Sequence, residues 1–172
     1  PSLTFSKPIA TNTQAYQNDI PQLTGLGPFI PFGFDGGGQF EAQVSSLESI
    51  KGNPSSEAIE YWFGFNTVAQ LQDVLNDSIK LQRLRNIPVS TLLYNLESTS
   101  SDYSNRFATT SNPIVQFAKL AKGAGFKVMW VPLRNDADQY LLPAYSQLLK
   151  DIYNNSVGGM DGIMLQEQKK IN

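Results

Sequence analysis

The chain of 172 residues is 41% hydrophobic and only 16% charged, with a formal net charge of −2. A chain of this length fits one domain with a buried core, and its weakly acidic balance excludes the concentrated basic face that nucleic-acid binding requires. Because cysteine and histidine are both absent, disulfides, thiolate chemistry and the usual zinc ligands are excluded, and we expect neither a metal nor a cofactor.

The first residues differ in composition from the rest of the chain. Residues 1–24 carry few apolar clusters and much Thr, Gln and Asn, so we interpret them as an extended N-terminal arm, followed by one domain over 25–172. Apolar stretches such as "GLGPFIPFGF" at 25–34 are about half the ~20 residues that a membrane-spanning helix needs. We therefore expect no membrane span.

Apolar runs of strand length alternate with segments of helical period along the remaining chain. In chain order we predict a strand at 28–34, a helix at about 40–50, a strand at 58–65, a helix at 67–85, a strand at 87–97, a helix at 112–123, a strand at 125–133, a helix at about 137–153 and a strand at 161–166. The helix that follows Asn112 has the clearest boundaries, because Asn112 suits an N-cap, Pro113 the first helical position and Gly123 the stop.

This alternation predicts an α/β fold with a parallel sheet, because parallel strands need crossover connections, which helices usually supply. Two architectures fit the pattern. One is the first five β/α units of a TIM-type barrel, and the alternative is a five-stranded doubly wound sheet. Since no helix follows the fifth strand before the chain stops at Asn172, we expect the barrel-like domain to be incomplete at its C-terminus.

Two stretches of the second half, "FAKLAKGAGFKVMWVPLRND" and "GGMDGIMLQEQ", together resemble the middle of (β/α)8-barrel glycoside hydrolases and their relatives. In those proteins an Asp-Gly-Ile strand ends in acids at the mouth of the barrel. The resemblance implies a carbohydrate ligand, a structural role for Asp161 and a position at the barrel mouth for Glu167.

Glycoside cleavage needs two carboxyl groups, and several acids follow predicted strands, where α/β proteins place their ligands: Asp35, Glu97, Asp136, Asp138 and Glu167. We predict Glu167 and Asp136 as the catalytic pair. As substrate-binding residues we predict Asp35, Glu97, Trp130 and Gln166.

Each of these residues also has a structural alternative. Asp136 suits a helix N-cap, Glu97 a solvated loop position, and Asp35 with the three glycines after it suits a tight turn. The same "DGGGQ" stretch lacks the spacing of a phosphate-binding loop. Aromatic side chains such as Trp130 pack in a core more often than they bind a ligand.

The predicted function is that of a carbohydrate-active barrel, glycoside hydrolase-like, or a fragment of one that acts on or binds a polysaccharide. A barrel-derived binding module without catalysis is one alternative. A secreted structural or filament subunit is the other, with self-association or association with the remainder of a larger chain. The low charge and the abundance of Asn, Gln, Ser and Tyr favour a secreted or extracellular location.

Overall fold

The computed structural model describes residues 9–12, 28–54, 56–106, 108, 110–132 and 160–164. Within these residues six strands form one sheet: β1 (Ile9–Asn12), β2 (Phe29–Asp35), β3 (Tyr61–Phe65), β4 (Val89–Asn95), β5 (Lys127–Val131) and β6 (Gly162–Ile163). Four α-helices lie between them: α1 (Phe40–Gly52), α2 (Val68–Asn76), α3 (Ser78–Asn86) and α4 (Pro113–Gly123). The predicted helix at 137–153 lies outside the described residues.

The sheet is parallel throughout, and its strands follow one another in sequence order from β1 to β6. This confirms the predicted α/β fold with a parallel sheet. The order has no reversal among the described strands, whereas a doubly wound sheet reverses at its switch point. The strand β1 falls within the segment 1–24 and pairs with β2, although the sequence pattern did not predict a strand there.

One face of the sheet carries the helices. The side chains of Phe63, Leu92 and Val128 occupy one register row on this face, and all are fully buried. The next row on the same face holds Phe65, Tyr94 and Trp130. All six belong to a single hydrophobic core that also includes buried residues of all four helices: Phe40, Val44, Leu47, Ile50, Val68, Leu71, Val74, Leu84, Ile114, Phe117, Ala118 and Ala121. We call this side the helix face.

The opposite face, which we call the second face, is also apolar. Phe34, Gly64, Leu93 and Met129 lie side by side across β2 to β5 in one register row. A Cβ atom added to Gly64 would lie 2.2 Å from a ring carbon of Phe34, so the Phe34 ring covers this glycine. Leu93 is only 2% exposed. Within the described residues, the helices pack on the helix face and not here.

The segment 67–85, predicted as one helix, forms two. Asp77 has an extended backbone between α2 and α3, and its carboxylate accepts hydrogen bonds from the amides of Ile79 and Lys80 at the start of α3. Asp77 therefore ends one helix and caps the next, because an N-cap side chain satisfies amides that have no partner inside the helix.

Two ion-pair clusters fasten the helices. The Arg83 guanidinium of α3 donates to both carboxylate oxygens of Glu48 in α1, at 3.0 and 2.8 Å, and also contacts Glu41. At the other end of the helix layer, Lys122 of α4 pairs with Asp161 at 2.6 Å. The first cluster holds α3 against α1, and the second joins α4 to the start of β6.

Candidate functional site

A cluster of polar side chains lies where β3 and β4 end, on the second face of the sheet. Asn66 directly follows β3 and Asn95 is the last residue of β4. Since Phe65 pairs with Tyr94 in register, the two asparagines are neighbours across the strands. The Asn95 side-chain amide donates to Oδ1 of Asn66 at 3.2 Å and to Oε1 of Glu97 at 2.8 Å. We call Asn66, Asn95 and Glu97 the edge cluster.

The double hydrogen bond of Asn95 fixes the orientation of its two neighbours. Because Nδ2 of Asn95 is a donor only, Asn66 must turn its carbonyl oxygen towards it and its own NH2 group away. Glu97 likewise commits Oε1, which leaves Oε2 as an acceptor. Among the described residues, no side-chain or backbone group pairs with Nδ2 of Asn66 or with Oε2 of Glu97. The edge cluster therefore leaves one amide donor, on Asn66, and one carboxylate acceptor, on Glu97, to either side of the Asn95 amide.

Burial separates the three residues. Asn95 is 5% exposed, whereas Asn66 and Glu97 are half-buried. The buried amide thus serves as the fixed centre, and the two half-buried groups can still reach a ligand. Buried polar side chains that are fully hydrogen-bonded hold a single arrangement, which is what a binding site requires of its support.

Two hydrogen bonds hold the backbone of Asn66. Its amide donates to Oε1 of Gln70 at 2.9 Å, and its carbonyl accepts from the Ser100 hydroxyl at 2.8 Å. Gln70 also forms a capping box with Thr67 at the start of α2 and donates to the carbonyl of Asp35 at 3.0 Å. The ends of β2 and β3 and the loop after β4 are therefore joined beside the edge cluster.

The loop after β4 is anchored by Asp102. One carboxylate oxygen of Asp102 accepts from the Tyr94 hydroxyl at 2.8 Å and from the amide of Val68, the first residue of α2, at 2.7 Å. Burial raises the pKa of the Tyr94 hydroxyl, and its hydrogen bond to the Asp102 carboxylate raises it further. Tyr94 therefore stays protonated and remains a donor, so the pair positions the loop that carries Glu97 and Ser100.

Asp35, predicted to bind substrate, closes a turn. Its Oδ1 accepts from the amides of Gly38 and Gln39, both at 2.8 Å, and the residue is 6% exposed. Gly37 and Gly38 adopt positive φ angles of 124° and 85°, which favour glycine. The Asp35 carboxylate thus accepts from the amides that would otherwise be available to an external anion. This agrees with the alternative in which Asp35 and the glycines after it form a tight turn.

Trp130, also predicted to bind substrate, lies on the helix face and is 2% exposed in the core. Its ring is enclosed by side chains and has no open face on which a sugar could stack. Asp35, Glu97 and Trp130 therefore do not share one site. Glu97 alone of these three belongs to the edge cluster.

The predicted catalytic residues Glu167 and Asp136, and the predicted substrate-binding residue Gln166, lie outside the described residues. Asp161 is described and has a structural position. Its carboxylate accepts from the Val128 amide at 2.7 Å and pairs with Lys122. Partial burial acts to raise the pKa of Asp161, but the Lys122 ammonium and the Val128 amide outweigh it, and the net pKa is lowered.

Neither Asn66 nor Asn95 was predicted from the sequence as a site residue. The sequence feature that could have indicated them is that each asparagine ends an apolar run, in "FGFN" and "LLYN". Their adjacency follows only from the register of β3 and β4. Within the described ranges, no group of three or more acidic side chains is arranged to hold a metal ion.

Comparison with protein-family models, with curated proteins and with solved structures finds no match to this chain. Among the described helices, none is both long and apolar enough to cross a membrane.

Proposed function

We propose that this chain is a carbohydrate-active domain of the barrel type, or part of one, and that it binds or acts on a polysaccharide at the carboxyl edge of its sheet. The observation that carries the proposal is the edge cluster of Asn66, Asn95 and Glu97. It lies on the second face, at the end of parallel strands where α/β proteins bind their ligands.

The chemistry of the edge cluster suits sugar hydroxyls. A hydroxyl group both donates and accepts, so it can bind to an amide NH2 and to a carboxylate oxygen. Next to the edge cluster on the same face, the half-buried side chain of Phe34 adds an apolar surface. Ligand sites commonly combine such an apolar lining with a few fixed polar groups.

The sheet order supports the barrel form of the proposal. When strands add in one direction through crossovers of one hand, all the helices fall on one face. The second face, with Phe34 and Leu93, must then be covered by something other than those helices. Closure of the sheet into a barrel would cover it, because the inward side chains of a barrel fill its interior.

Catalysis would require two carboxyl groups, because hydrolysis needs an acid and a base or nucleophile. Asp136 and Glu167 remain the proposed pair. In the described part of the molecule, the edge cluster itself contains one carboxylate, Glu97, and two amides. Its residues therefore support binding more directly than they support turnover. A secreted location, predicted from the low charge, accompanies this proposal.

The proposal is tested by affinity electrophoresis of the purified chain in gels that contain β-glucan, xylan, mannan or soluble chitin derivatives. We expect retardation in at least one gel. Glu97→Ala should remove the retardation, while Glu57→Ala, which changes an exposed acid at the opposite edge of the sheet, should leave it intact. Equal migration of wild type and Glu97→Ala in every gel would contradict the placement of the site.

Turnover is tested separately with the polysaccharide that binds. If the proposed catalytic pair is correct, Asp136→Asn and Glu167→Gln should each reduce the hydrolytic rate by about 10²-fold or more, because positioned proton transfer contributes about 10² to 10⁴-fold. If the wild type bound the polysaccharide but did not hydrolyse it, the result would favour a barrel-derived binding module without catalysis. Self-assembly without binding to any polysaccharide would instead favour the structural-subunit alternative.

A further inference from the structure

The edge cluster contains a donor and an acceptor whose orientations are set by the protein itself. Nδ2 of Asn95 binds Oδ1 of Asn66 at 3.2 Å and Oε1 of Glu97 at 2.8 Å. The remaining NH2 of Asn66 and the remaining oxygen of Glu97 flank this fixed centre. Both residues are half-buried, so each is partly accessible to solvent.

We infer that the edge cluster selects an uncharged polysaccharide by binding two adjacent hydroxyls of one sugar ring, one donating to Glu97 and the other accepting from Asn66. The inference rests on the proposed function and specifies its ligand class. Adjacent ring hydroxyls provide one donor beside one acceptor, which matches the outward groups of the edge cluster. A hydrogen bond to a carboxylate is stronger than one between neutral groups, so Glu97 supplies the larger part of the affinity.

The charge of the edge cluster gives it selectivity as well. Glu97 carries the negative charge at this position, and the two amides beside it are neutral. A carboxylate or sulfate on the ligand would approach Glu97 with like charge, which costs affinity and can disfavour the wrong partner. An acidic glycan such as a polygalacturonate should therefore bind less well than a neutral glycan.

Two isosteric substitutions distinguish residues that bind the ligand from residues that only support the structure of the edge cluster. Glu97→Gln retains an oxygen for the bond from Asn95 but exchanges the charged acceptor for a neutral donor. Asn66→Asp retains the oxygen that accepts from Asn95 but exchanges the outward donor for a charged acceptor. Both keep the shape of the edge cluster, and thermal unfolding of each variant verifies that the fold persists. The matched controls are Glu57→Gln and Asn76→Asp, which change an acid and an amide at exposed positions.

The experiment measures the affinity of the full chain for a neutral β-glucan oligosaccharide and for an oligogalacturonate of the same length, at low and at moderate salt. We expect the wild type to prefer the neutral ligand. Glu97→Gln should weaken neutral binding by about tenfold, as expected for loss of a charge-assisted hydrogen bond. The same variant should reduce the ratio of the affinity for the neutral ligand to that for the acidic ligand. Asn66→Asp should also weaken binding of the neutral ligand, but it should increase this ratio.

The outcomes distinguish this inference from the proposed function. If a variant lowered the affinity for both ligands equally, the substitution would have affected only the structural support of the edge cluster. That result would overturn the inferred selectivity. Preference of the wild type for the acidic ligand would overturn it too, while leaving carbohydrate binding established. If a broad panel of neutral and acidic glycans showed no binding at all, the proposed function would fail and this inference with it.

Discussion

Replacement of Gly64 by alanine tests the packing of the second face directly beneath the edge cluster. The new methyl group would lie 2.2 and 2.6 Å from two ring carbons of Phe34 and 3.4 Å from Cβ of Leu93. Favourable carbon contacts lie at about 3.5–4.0 Å, so the ring must move by more than about 1 Å. Its movement would disturb the packing of the register row next to Asn66 and Asn95.

The expected magnitude follows from two opposing effects. Overpacking costs about 1–3 kcal/mol, and replacement of a strand glycine by alanine recovers about 0.5–1 kcal/mol of conformational entropy. The two ranges combine to a loss of about 0–2.5 kcal/mol, so we expect Gly64→Ala to lower the free energy of unfolding by about 1 kcal/mol. Gly52→Ala is the matched control. Gly52 ends α1, a Cβ there meets nothing within 4 Å, and the change should stabilise by up to about 1 kcal/mol.

Urea unfolding monitored by fluorescence and circular dichroism gives the change in the free energy of unfolding for each of the two glycine variants. The comparison holds when the dependence of that free energy on urea concentration is the same as in the wild type. The clash with Phe34 is isolated by a double-mutant cycle with Phe34→Ala. In that background the ring is gone, and Gly64→Ala should be neutral or stabilising. If Gly64→Ala were as harmless as Gly52→Ala in the wild type, or equally costly with and without Phe34, the described packing of this face would be refuted.

Two further predictions concern the ion pairs. The hydrogen bond from Arg83 lowers the pKa of Glu48 below its ordinary 4.5 against an opposing effect of burial, so the pair contributes stability above pH 4.5 that is lost as pH falls through the lowered folded-state value. Glu48→Gln should therefore cost no more than about 1 kcal/mol at pH 7, and the difference from wild type should vanish once the pH falls below the lowered folded-state pKa of Glu48. A difference that did not change with pH would contradict this prediction. Asp161→Ala removes the acceptor of the Val128 amide. That amide should then exchange its hydrogen faster, while the exchange rates of the amides of β3 should not change. Unchanged exchange at Val128 would show that Asp161 does not hold β5 to β6.

Much of the fold could be predicted from local pattern. The strand predicted at 87–97 is β4, Val89–Asn95, and the helix predicted at 112–123 is α4, Pro113–Gly123. Asn112 caps that helix as predicted, accepting from the amides of Ile114 and Val115. These features are local, because apolar periodicity and capping residues act on their own segment of chain. The alternation of elements then determined the parallel sheet, since parallel strands require crossovers.

The limits of the local pattern are visible at particular residues. The stripe of Val68, Leu71, Leu75, Ile79 and Leu84 was consistent with one helix, but Asp77 caps a second helix within it. The strand β1 carries too short an apolar run to stand out, and its pairing with β2 defines it.

The candidate site was decided by tertiary structure. Asn66 and Asn95 are 29 positions apart in the chain, and only the register of β3 against β4 brings them together. Asp35 and Trp130 were predicted beside a ligand, but the pleat turns both towards the helix face, because successive side chains on a strand point to opposite faces. Sequence indicated where the strands lie, although the strand predicted at 87–97 extends beyond Asn95, where β4 ends. Pairing and pleat, which depend on the neighbouring strands, decided which residues meet.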